Sequence, residues 1–164
     1  LHNDLEKHKE AVVFLAYALN LDKHHDLAYH EKIEAHMALR DFYMALEESE
    51  NAIKRDKTAL NFYYRALASD SLQDYQKASY NYGRAMKMDK TLEEAYVGKG
   101  FALVHLKKLD QAEEVCEDLL RINPKNTGAY FCRSKVQFEK GHFNQAIVDL
   151  STVTKLNLKT LLPY

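Results

Sequence analysis

The chain has 164 residues, 46% of them hydrophobic and 29% charged, which is enough for a real core and unlike a disordered tail or a membrane-embedded chain. Lys and Arg total 23 against 24 Asp and Glu, with the signs interspersed and a formal net charge of −1, so no basic field exists to attract nucleic acid or anionic lipid. Five Gly and two Pro leave few breakers, which favours long helices over tight β-turns.

The chain opens at Leu1 rather than Met, from which a missing N-terminal segment, with any targeting signal it carried, is expected. The longest apolar stretch, Ala11 to Leu21, falls well short of the roughly 20 residues a membrane-spanning helix needs. No signal peptide is visible, and membrane insertion is not expected. Beyond this stretch the sequence repeats. Gln111-Ala112-Glu113 returns as Gln145-Ala146-Ile147 after 34 residues, and the same spacing links Tyr96 to Tyr130 and Asn123 to Asn157. Windows cut at 26–58, 59–92, 93–126 and 127–160 bring the columns into line, the first being one residue short.

The fourth column then holds Tyr29, Phe62, Tyr96 and Tyr130, and the seventeenth Phe42, Tyr75, Leu109 and Phe143. The twentieth is alanine throughout: Ala45, Ala78, Ala112 and Ala146. The twenty-seventh holds Ala52, Ala85, Leu119 and Val153, and the thirty-first Asp56, Asp89, Asn123 and Asn157. Residues 1–25 read as the tail of an earlier window, mostly its second helix, and 161–164 as the opening of a further window or a truncated end.

Each window predicts two helices. In the third, Glu94 to Leu106 and Leu109 to Ile122 carry apolar residues at helical spacing, and Asn123-Pro124 stops the second because proline disfavours helix in the residue before it. In the fourth, Lys140-Gly141-His142 makes the inner turn, with glycine supplying the cap. Two closely crossing helices need a small residue at the contact, which accounts for the alanine column. The aromatic of the fourth column fills the gap between neighbouring pairs.

This pattern resembles the tetratricopeptide repeat, a helix–turn–helix unit of the same length. The resemblance covers nearly the whole chain and is strongest at 93–126, with Tyr96, Gly100, Leu103, Ala112 and Pro124. It is weaker at 26–58, where Ile33 stands in the small-residue column and Lys57 where the closing proline belongs; Lys90 and Leu158 also replace that proline. The resemblance implies an all-α solenoid, a right-handed superhelix with a concave groove lined by the first helix of each unit.

Gly98-Lys99-Gly100 looks at first like a phosphate-cradling loop. Such a loop needs G-x-x-x-x-G-K-[ST] after a strand, and here both glycines sit inside a predicted helix. Gly100 shares its column with Ala66 and Ser134, so it is read as packing. The stretch from His30 to His36 resembles a zinc-protease helix, but its histidines are six residues apart, a turn of about 240° that aims the rings away from each other. They are read as solvated helix residues, and His24-His25 as a surface loop. Glu47-Glu48 with Lys54-Arg55 reads as an ordinary solvated face. Cys116 lies on an apolar helix face as a small hydrophobe, whereas Cys132 is expected to be partly exposed. Both read as reduced thiols in a cytosolic setting, with no CxxC partner. No catalytic constellation, metal site or cofactor site is predicted.

The resemblance implies that the second, fifth, sixth, ninth and twelfth residues of each window face the groove. Tyr63, Val97 and Phe131 then share one column, Leu67 and Phe101 the next, and Val104 and Phe138 a third, with Tyr64 and Lys135 beside them. A contiguous apolar patch marks a partner site, and buried aromatic anchors there are each worth ~2 kcal/mol or more. The carboxylate clamp of chaperone-binding members is not supported. Its positions hold Tyr63, Leu67, Gly98, Gly128 and Cys132, or, one window earlier, His30, Glu34, Tyr64, Glu94 and Gly98. An asparagine ladder is not supported either, because its column is Glu31, Tyr64, Gly98 and Cys132. The expected function is a cytoplasmic protein–protein interaction scaffold that holds a partner helix or extended apolar segment. The alternatives are a regulatory or targeting arm of a multidomain enzyme, and a self-assembly module.

Overall fold

In the computed structural model, which describes residues 2–21 and 26–161, the chain is all α. The described helices are α1 (His2–Leu21), α2 (Asp26–Ala38), α3 (Phe42–Arg55), α4 (Ala59–Ser71), α5 (Tyr75–Met88), α6 (Glu93–His105), α7 (Leu109–Ile122), α8 (Thr127–Glu139) and α9 (Phe143–Leu161). The His24-His25 loop and residues 162–164 lie outside the described residues. Contacts gather into two units, one through Met88 with α1–α5 and one from Asp89 with α6–α9. In the first, α2 packs on α1, α3 and α4, and α4 on α3 and α5. In the second, α8 packs on α6, α7 and α9, and α6 on α7.

The four turns within helix pairs share one geometry. Arg40, Gln73, Lys107 and Gly141 all have positive φ, between 58° and 79°. The next amide closes a six-residue loop back onto the helix, from Asp41 to His36 O, Asp74 to Ser69 O, Lys108 to Leu103 O and His142 to Gln137 O, at 2.8–2.9 Å. This is the Schellman arrangement, which satisfies carbonyls the helix end leaves open. Glycine suits its left-handed residue, yet only the fourth turn has one, so three turns carry the strain of a side chain there.

The turns between repeats are held by side chains. Thr58 caps α4 by accepting from the Asn61 amide, and Asn126 caps α8 by accepting from Ala129. The Glu93 carboxylate gathers amide donors from Asn123 and Asn126 at 2.6–3.0 Å. Asn123 is extended, and α7 ends at Ile122 before Pro124.

The alanine column is buried in every repeat, at the contact between second and first helices. Phe62 and Tyr96 of the aromatic column are buried, and Arg guanidinium groups lie over Tyr29, Phe62 and Tyr130. Of the two pairs read as solvated, Glu47 and Lys54 are exposed, but Glu48 and Arg55 are not. Glu48 is buried and accepts from Lys32 at 2.6 Å, and Arg55 lies 4.8 Å over the Tyr29 ring. Lys32 and Glu48 occupy the same columns as Arg133 and Asp149, which form a two-bond pair at 2.6–2.9 Å. A charge that faces its own repeat's partner helix escapes detection by linear spacing.

Candidate functional site

In the first unit, residues expected to face the groove join a polar cluster. His30 Nε2 lies 2.7 Å from Asn61 Oδ1, and its ring stacks on Tyr64 at 4.9 Å. Asn61 is fixed in turn by donating to Ala52 O and Asp56 O. Tyr64 is buried and its hydroxyl donates to Glu34. Burial, and next the bond to Glu34, push that hydroxyl well above the usual tyrosine range. Tyr63 and Leu67 are half-buried, with the Tyr63 ring against Tyr64 and Tyr82. His30 and His36 are therefore packed rather than solvated: His36 is 5% exposed, with Nδ1 3.7 Å from Asp41 Oδ2. Among the described residues no three His, Cys, Asp or Glu are placed to hold a metal ion.

In the second unit the face of α6 and α8 opens into an apolar hollow of about 690 Å³. Phe101, Val104, Phe131 and Phe138 form its wall, and Ala146 and Leu150 of α9 close one side. Phe101 and Phe131 meet at 5.9 Å, and Phe138 meets Phe143 at 5.4 Å. Phe131, Lys135 and Phe138 are exposed, Val97 and Phe101 half-buried and Val104 buried. The rim carries a charge triad: Glu139 takes Lys107 at 2.8 Å and Lys135 at 3.1 Å. The Lys107 and Lys135 bonds hold the Glu139 carboxyl below the usual range. Lys135 also lies 5.5 Å over the Phe138 ring. Such a site offers apolar side chains a dry wall and leaves charged groups at the edge. Ala146 and Leu150 were not anticipated, because the groove rule considers only first helices.

Three solved structures share this architecture. MamA from Desulfovibrio magneticus RS-1 superposes with a TM-score of 0.81 at 15% identity, covering 96% of this chain and 93% of that one. YrrB, described as a tetratricopeptide-repeat protein with an unusual peptide-binding site, gives 0.74 at 19%, covering 94% and 80%. The second such domain of human RPAP3, solved with the HSP70 peptide SGPTIEEVD, gives 0.64 at 25%, covering 66% and 92%. Residues 71–131 match a tetratricopeptide-repeat family profile, and the chain shares the fold of these repeat proteins.

In the 34-residue repeat the sixth column proves to be packing where Tyr64 and Cys132 stand. Cys132 is fully buried, not partly exposed. The cause is Gly100: a Cβ there would lie 2.5 Å from Cys132 Sγ and 3.3 Å from Cys116 Sγ, so the missing side chain makes the space the thiol fills. A hydrogen bond with Cys132, followed by burial, pushes the Cys116 thiol far up, the reverse of what a reactive thiolate needs. Among the described residues no helix is long and apolar enough to cross a membrane.

Proposed function

We propose that the chain is a protein–protein interaction scaffold that holds a partner's apolar helix or extended segment on the groove face of its first helices. The observation that carries this is the hollow lined by Phe101, Phe131 and Phe138, in which the exposed Phe131 and Phe138 rings exceed what packing of the repeat uses. Val97 and Val104 support that face and Lys135 contributes a charge at its edge, while Tyr63, Tyr64 and Leu67 hold the corresponding columns of the first unit. The mode is helix or strand in groove, anchored by aromatic side chains. The peptide-binding site named for YrrB and the peptide bound to RPAP3 support a peptide-binding use of this fold.

The role is binding rather than catalysis, since the His30 ring is engaged by Asn61 and Tyr64 and the thiols are buried with Cys116 raised. Free, buried thiols fit a reducing, cytoplasmic setting. The near-neutral charge balance disfavours nucleic acid as a partner. The test is affinity capture from source-cell lysate with the parent chain and a Phe131→Glu/Phe138→Glu variant. Both residues are exposed, so equal helicity is expected. A partner kept by the parent and lost by the variant supports the reading; equal recovery by both sinks it.

A further inference from the structure

The chain's two cysteines stand on different helices, Cys116 on α7 and Cys132 on α8, and the fold brings them together inside the second unit. They are 2% and 0% exposed, and their sulfurs share a hydrogen bond. Both sulfurs rest over one point of α6. A Cβ on Gly100 would lie 3.3 Å from Cys116 Sγ and 2.5 Å from Cys132 Sγ, and Gly100 sends no side chain into that space. Packing of the repeat does not require sulfur at either place: at the α3–α4 junction of the first unit the same columns hold Ser49 and Tyr64, which are also buried. The thiols meet in a framework held at both ends. Glu93 gathers Asn123 and Asn126 at the α7–α8 turn, and Lys140, just past the end of α8, reaches Asp110 and Glu113 of α7.

While the fold is closed the pair is inert. The hydrogen bond to Cys132, and then burial, disfavour the Cys116 thiolate, and the neighbouring cation, Arg133, is engaged by Asp149 through two bonds. A local opening of the α7–α8 contact exposes one sulfur to a small oxidant, of which a peroxide is the simplest. That thiol loses its proton and attacks the peroxide. The O–O bond breaks, one water leaves, and a sulfenic acid forms. Reclosure sets the second sulfur against the first. It attacks, the S–S bond forms, the S–O bond breaks and a second water leaves. Two S–H bonds have become one S–S bond, and two electrons have passed to the peroxide, which is reduced to two waters. The new bond ties α7 of one repeat to α8 of the next and closes the chain from 116 to 132, which removes freedom from the unfolded state.

We propose that Cys116 and Cys132 are a redox pair that closes to a disulfide under peroxide and reopens under a dithiol reductant, joining the third and fourth repeats reversibly. The pairing is independent of what the groove binds. The test is to treat the native chain with hydrogen peroxide, then read its intact mass, its free thiols in denaturant and its urea midpoint. The expected product has lost about 2 Da and both thiols together. It runs as a monomer of 19.0 kDa without reductant and unfolds at a higher urea concentration, and dithiothreitol reverses each change. Cys116→Ser and Cys132→Ser, first checked for parent helicity, are each expected to show neither the mass loss nor the rise in midpoint; one folded variant is enough. Thiols that survive in the native chain, at a peroxide dose that consumes both in urea, overturn the proposal. So do a gain of oxygen mass in place of the loss, cross-linking between copies, or a midpoint that falls on oxidation.

Discussion

Gly100→Ala adds one methyl group where three helices meet. The new Cβ would lie 2.5 Å from Cys132 Sγ on α8 and 3.3 Å from Cys116 Sγ on α7, against an ordinary contact of 3.4–4 Å. Cysteine has a single side-chain torsion and both sulfurs are buried, so the strain passes into the helices. Inserting a methyl into a packed core costs about 1–3 kcal/mol. Alanine in place of a helical glycine returns about 1 kcal/mol. The net expectation is a loss of about 0–2 kcal/mol, read as a lower urea midpoint at unchanged slope. The diagnostic step is to repeat the change in a Cys132→Ala background. With the close sulfur gone, Gly100→Ala should be neutral or stabilising, so the two sites couple by about 1–3 kcal/mol. If Gly100→Ala stabilises the parent, or costs the same in both backgrounds, the small-residue column does not arise from helix contact and the packing argument fails.

Three further outcomes follow from the same geometry. Gln73→Gly should raise stability by about 1 kcal/mol, because Gln73 is exposed and held at φ 62°, while Gly141→Ala should lower it by about 1–2 kcal/mol although nothing crowds that site; chemical denaturation of both variants checks the pair. Lys32→Met strands the buried Glu48 carboxylate and should cost about 2–3 kcal/mol, with Lys32→Met/Glu48→Leu recovering most of it, measured as a double-mutant cycle. The Lys140 hydrogen bond holds the Glu113 carboxyl below its ordinary 4.5, and the Asp110 and Glu113 bonds raise Lys140 above its ordinary 10.5. A lowered acid stabilises above its unfolded value and loses that as pH falls through its folded value, while a raised base stabilises below its unfolded value and loses that as pH rises through its folded value. The stability gap between parent and Lys140→Gln should therefore be flat through neutral pH and close at both extremes; a gap that peaks at low pH would contradict the assignment.

The sequence by itself determined the repeat: its period, the all-helical class, the alanine column and the reading of Gly100 as a contact. These are legible because each repeat presents the same face to the same neighbour, so a spatial limit on size recurs as a residue type at a fixed interval. The groove was partly legible for the same reason. Phe131 and Phe138 are exposed in columns the family geometry assigns to it, whereas Tyr64 and Cys132 of the sixth column are buried. Only the tertiary structure decided which charges are inside, that three turns adopt the left-handed conformation without glycine, and that Ala146 and Leu150 of a second helix wall the hollow. Each of these depends on a partner from another helix. Linear spacing records what one helix face contains, but burial and strain are set by what that face meets.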